Sequence, residues 1–214
     1  MNEKSINPST VWTIVGALTV VGFCIYFYQQ ASDQKDQEGR SALYKVEKTF
    51  EEELNAVPAS DRAPGVPLDV DSKFSKTISE LNGMISAKSA PARILFEAGL
   101  KLGGIYLDHG KAEQAVAALK ATTGFSKTGF QKASAFFLLG SAHEKAKQFK
   151  EALEAYQQSV SQGIDALRSE AMLGMVRVDL KLNEKEKAKL FAEKLNKEFP
   201  GSKPAQEAEA LVQQ

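Results

Sequence analysis

Two histidines and two glycine groups are where chemistry could reside in this chain of 214 residues. His143-Glu144 opens like a zinc-binding HExxH helix, but the fifth residue is Lys147, so the second metal ligand is missing. Gly124 and Gly129 have the spacing of a phosphate-cradling loop. Phe130 stands where that loop needs its lysine. Gly99, Gly103 and Gly104 do not form GxGxxG and lie inside a helical pattern. His143 suits a helix-packing position instead, and His109 a helix-end turn. No cofactor, metal ion or small-molecule substrate is expected, and no enzymatic activity. Lys+Arg and Asp+Glu are both 27, so no basic stripe argues for nucleic acid.

The glycines lead to another reading. Leu102-Gly103, Leu139-Gly140 and Leu173-Gly174 are spaced 37 and 34 residues apart. Each sits mid-helix in the apolar pattern, before a polar turn. A second helix then carries an early Ala and a large residue four places on: Ala115 with Leu119, Ala152 with Tyr156. A period near 34 with this pattern predicts a helix-turn-helix repeat. Ala, Lys, Glu, Gln and Leu dominate after Gly39, as suits helices. The fold class expected is all-α: one N-terminal transmembrane helix, then an α-solenoid of three repeats with flanking cap helices.

No charged residue occurs from Ser5 to Ser32, and the dense apolar part runs from Val11 to Tyr28. A bilayer core needs roughly 20 such residues, and Trp12, Tyr26 and Tyr28 stand where interfacial aromatics belong. The competing reading is a cleaved signal peptide. Against it stand the length of the run, Lys4 as the single preceding base, and no clear cleavage site. Cys24 follows Phe23, which does not suit a lipoprotein signal, and a single Cys forms no intramolecular disulfide. No GxxxG marks a dimerising face.

The expected organisation is a tail over 1–8, a spanning helix over 9–29 and a linker or helix extension over 30–40. Cap helices or a degenerate repeat follow over 41–90, with apolar spacing at Leu43, Val46, Phe50 and Leu54 and again at Phe74, Ile78, Leu81 and Ile85. Pro58, Pro64, Gly65 and Pro67 break the pattern between them. Repeats fill 91–200 (96–129, 133–166 and 167–200), and a cap helix opening at Ser202 and Pro204 fills 201–214.

Position by position, the blocks resemble tetratricopeptide repeats. The second supplies Phe136, Leu139, Gly140, Ala152, Tyr156 and Ser159, departing at His143 and Ile164. The first supplies Leu102, Gly103, Tyr106, Ala115 and Leu119. In the third, Ala188 and Pro200 fall two residues late, which predicts a longer turn around Asn183. Small residues in this pattern let paired helices approach; large ones fill the space beside them. The resemblance implies that the first helix of each repeat lines a concave face. That register places Leu100, Leu107, Phe137, Met175 and Val178 there, a candidate groove for an apolar or amphipathic segment. The alternative is that the helices around Phe50 and Phe74 fill it.

The layout, with Arg40-Ser-Ala-Leu-Tyr44 and Gly110-Lys-Ala-Glu-Gln-Ala115, resembles the bacterial YfgM-like proteins. The resemblance implies an inner-membrane, single-pass adaptor ancillary to the Sec translocon, with periplasmic repeats. Its implied partners are Sec subunits, a periplasmic chaperone and unfolded clients. A scaffold of another envelope machine, or an accessory subunit of a membrane enzyme complex, are the alternatives. The basic residues tilt the other way on orientation: Lys4 before the helix, but Lys35, Arg40, Lys45 and Lys48 after it.

Overall fold

Straight-chain helix formers and repeated three-four apolar spacing give one class of element. Ten α-helices and one 3-10 turn, with no strand, occur among the described residues. The computed structural model describes the backbone of residues 8–62 and 68–213, and the side chains of 21–61 and 68–213. Helix α1 spans Pro8–Ala56, and a 3-10 turn follows at Ala59–Arg62. Next come α2 (Val70–Lys73), α3 (Ser75–Ala87), α4 (Ala92–Asp108) and α5 (Ala112–Thr123). The remainder is α6 (Gly129–Lys145), α7 (Phe149–Val160), α8 (Asp165–Lys181), α9 (Lys185–Glu198) and α10 (Lys203–Val212).

Local chemistry sets the ends. Helix α1 stops two residues before Pro58, whose ring disfavours helix in the residue preceding it. Thr128 caps α6 in a capping box: its hydroxyl accepts from the Gln131 N–H at 3.2 Å, and the Gln131 amide oxygen accepts from the Thr128 N–H at 3.2 Å. Ser202 caps α10, with Pro204 in its first turn, where the missing N–H does no harm.

Successive helices pack side by side. Helices α4, α6 and α8 are the first members of three pairs, and α5, α7 and α9 the second. Contacts of α4 with α6 and of α6 with α8 stack the pairs, and α10 closes the stack against α8 and α9. At the other end the last turns of α1 pair with α3, and both touch α4. Leu43, Val46, Phe74, Leu81, Ile94, Leu102 and Leu119 share one buried cluster there. A solenoid of tetratricopeptide type fits this arrangement. Residues 30–40 lie within α1, so that segment continues the helix.

No helix among the described residues is long and apolar enough to cross a membrane. The expected spanning segment, 9–29, coincides with the start of α1, but the side chains of 9–20 lie outside the described residues.

The expected longer turn around Asn183 is absent. Each pair is joined by a three-residue turn whose central residue is left-handed: Gly110 (φ 74°), Lys147 (φ 59°) and Asn183 (φ 62°). Ala115, Ala152 and Ala188 each fall fourth in their helix. The shift lies inside α8. Counted from the helix start, Met175-Val176 occupies the place of Leu102-Gly103 and Leu139-Gly140, and Gly174 comes two residues early.

Gly174 has its own reason to be small. A Cβ on Gly103 would lie 2.5 Å from the Leu119 side chain, and one on Gly140 2.6 Å from the Tyr156 ring. These are contacts within one pair. A Cβ on Gly174 would lie 2.5 Å from Tyr156 Cζ, a contact with the preceding pair. Tyr156 is larger than Leu119 and reaches past its own repeat, and α8 makes room. In the third pair Val176 and Ala192 exchange the sizes held by Gly140 and Tyr156 in the second. Both lie in the same core cluster.

Candidate protein-binding face

Contact between successive first helices places α4, α6 and α8 along the inner side of the stack. With the register corrected, the equivalent positions are Leu100, Phe137 and Leu173; then Gly104, Ser141 and Arg177; then Leu107, Glu144 and Leu180. Leu173, 2% exposed, is taken up by the core that holds Ala188, Ala192 and Leu195 of α9. Arg177 stands beside Ser141, a place the uncorrected register gave to Met175.

The five residues expected to line a groove do not form one together. Met175 and Val178, 5% and 0% exposed, are packed with Ala152, Tyr156 and Ala171. They are interface residues because the Leu-Gly register is displaced in α8. Leu107 is buried, and Leu100 half-buried, in the cluster that holds Phe74 and packs Phe50. That cluster also holds Leu43 and Val46 of α1 and Leu81 and Met84 of α3. Phe137 is half-buried, its ring 6.0 Å from that of Tyr156.

The inner face carries a polar network instead. The Tyr156 hydroxyl donates to Glu144 Oε2 at 2.8 Å. Arg177 donates through Nε to Oε1 and through a terminal nitrogen to Oε2, both at 3.1 Å. A bidentate guanidinium–carboxylate pair is among the stronger protein hydrogen-bonded pairs. Burial pushes the Tyr156 hydroxyl far above its ordinary value, and the Glu144 charge adds to this. Burial alone would pull Arg177 down; its bonds to Glu144 and that charge outweigh it and raise the value. The three residues come from α7, α6 and α8, so the network ties the second repeat to the third.

Beside it lies a cleft of about 480 Å³, lined by Ser141, Glu144, Lys145, Lys147, Phe149, Arg177 and Lys181. Its cations sit at the ends of α6 and α8 and in the turn after α6. Glu144 is already engaged by Tyr156 and Arg177. Lys145 donates to the Leu107 carbonyl at 3.3 Å. No group of three or more His, Cys, Asp or Glu residues that could hold a metal ion occurs among the described residues. His143 bonds Gln148 through Nδ1 at 2.6 Å, and the His109 ring lies 5.5 Å from that of Phe74.

A family model described as a tetratricopeptide repeat matches residues 134–162. That span covers most of α6 and all of α7, with Gly140, Ala152 and Tyr156 at the packing positions argued above. No curated protein and no solved structure matches the chain.

Proposed function

We propose that this chain is a membrane-anchored, non-enzymatic adaptor whose helical repeats bind proteins. A tetratricopeptide repeat over 134–162 supports protein partners. The observation that carries the anchored reading is α1. Its last turns belong to the repeat stack, while Val21, Phe23, Ile25, Tyr26, Phe27 and Tyr28 are all more than half exposed on the same continuous helix. Such a stretch is unfavourable in water and suits a lipid phase. Resemblance to the YfgM-like proteins adds the inner membrane, repeats on the periplasmic side, and a role beside the Sec translocon that brings periplasmic chaperones to emerging clients.

The test is mild detergent extraction of a C-terminally tagged chain, with mass spectrometry of what accompanies it. Sec channel subunits with a periplasmic chaperone are expected. Another envelope complex, with Sec proteins at background, overturns the translocon reading. Recovery of the chain in the soluble fraction without detergent overturns the anchor. A reporter enzyme fused after Gln214 and active only in the cytoplasm overturns the orientation.

A further inference from the structure

The cleft at the ends of α6 and α8 carries more positive charge than the stack uses. Lys145, Lys147, Arg177 and Lys181 line it against one carboxylate, Glu144. Both Glu144 oxygens are occupied by Arg177 and Tyr156. Lys145, Lys147 and Lys181 form no ion pair among the described residues. Lysines at the last turn of a helix are favoured by its dipole, which accounts for Lys145 and Lys181. It does not account for Lys147, which lies beyond α6. Lys147 adopts a left-handed conformation, at the turn position filled elsewhere by Gly110 and Asn183. That conformation disfavours a residue with a Cβ. Phe149, half-buried, gives the cleft an apolar wall.

The cleft also lies at the other end of α4 from the free end of α1. Asp36 pairs with Arg93 at 3.1 Å and Glu47 with Lys101 at 3.3 Å, so α1 and α4 run parallel. The exposed leading part of α1 therefore leaves the stack at the start of α4. The cleft lies by the end of α4, where Lys145 meets Leu107. A helix of 17 residues is about 25 Å long. That exceeds the distance of about 8–10 Å over which charge at a membrane surface acts in physiological salt. Lipid headgroups around α1 would not reach these lysines.

We propose that this cleft docks an acidic segment of a partner protein, its carboxylates paired with Lys145, Lys147 and Lys181 and an apolar side chain against Phe149. The proposal rests on the protein-binding reading of the repeats and is independent of the anchor and of the translocon. The test uses the full chain in non-ionic detergent. The probe is a short fluorescein-labelled peptide of glutamates with one leucine, followed by anisotropy. A glutamine counterpart and vesicles of phosphatidylglycerol in phosphatidylcholine serve as comparisons. Binding of the glutamate peptide should weaken with salt. Lys147→Gly, which keeps the turn conformation and so the fold, should weaken it about threefold. Lys147→Gly with Lys181→Glu should weaken it at least roughly tenfold. Equal binding of the glutamine peptide, unchanged affinity in the variants, or no binding at millimolar peptide overturns the proposal. Vesicle capture lost with the same lysines overturns it in favour of a lipid surface. Co-purification of Sec proteins is read separately and is not altered by any of these results.

Discussion

Gly103 and Gly104 are neighbours in α4 and should respond oppositely to alanine. In a helix interior, Gly→Ala is favourable by about 0.8–1 kcal/mol, because the unfolded chain loses freedom. At Gly104 nothing lies within 4 Å of a new Cβ, so the full benefit of about 1 kcal/mol is expected. At Gly103 the Cβ would lie 2.5 Å from Leu119 Cγ and Cδ2 and 3.1 Å from Cδ1. Leu119 is fully buried and has no free direction in which to retreat. Overpacking of this kind costs about 1–3 kcal/mol. Near the upper end, less the helix gain, the net loss is about 1–2 kcal/mol. The two variants should therefore differ by about 2–3 kcal/mol. For a domain of this size that separates their melting temperatures by roughly 5–10 °C. Thermal melts followed by helical circular dichroism, with denaturant midpoints as a second probe, measure it. Gly103→Ala melting at or above the parent would refute the close approach of α4 and α5.

Asp179, 2% exposed, stands in α8 where the preceding repeats carry Tyr106 and His143, and its Oδ2 has no hydrogen-bond partner. Burial, reinforced by Glu184 and opposed by Lys187, raises its pKa above 3.8. A raised value means that the protonated form supplies stability in full below pH 3.8 and loses it as pH rises through the folded value. Asp179→Asn should therefore stabilise the chain at pH 7 by about 1 kcal/mol, an advantage that shrinks towards pH 4 in melts across that range. Thr128→Ala removes the capping box of α6 and should cost about 1 kcal/mol in denaturant unfolding. Tyr156→Phe removes one donor to Glu144 and leaves the Arg177 pair. A loss of about 1 kcal/mol is expected, and unchanged stability would mean that the hydroxyl bond contributes nothing.

The helix pairs were legible because close packing restricts residue type in sequence. Small residues at 103, 140, 115 and 152 and large ones at 119 and 156 mark the first two repeats. The third misleads for a physical reason. Its Gly174 is not at the contact between its own two helices; it yields to Tyr156 from the repeat before. The alanines at 115, 152 and 188 keep the true register, each fourth in its helix and buried. Reading from them would have placed Arg177 on the inner face and withdrawn Met175 and Val178. The Glu144–Tyr156–Arg177 network was out of reach for another cause. Its members lie 12 and 33 residues apart, and only the stacking angle brings them together. That Leu107 shares a buried cluster with residues of α1 and α3 likewise depends on tertiary docking, which the spacing of their own apolar residues leaves open.

Helix α1 has no joint between its exposed stretch and its packed one. Gly39 lets it press against Ala90, Pro91 and Ile94, with an added Cβ only 3.0 Å from Ala90. Asp36, held below its ordinary pKa by bonds to Arg40 and Arg93, clamps the next turn up. The helix is thus a lever with its fulcrum at the edge of the stack. Whatever grips residues 21–28 steers the repeats as a single body. Spanning helices tilt by about 20° on average. A swing of that size about Gly39 would carry the basic cleft, about 25 Å away, through roughly 9 Å. Reach, and not only affinity, would then be set by the angle at which that helix is held.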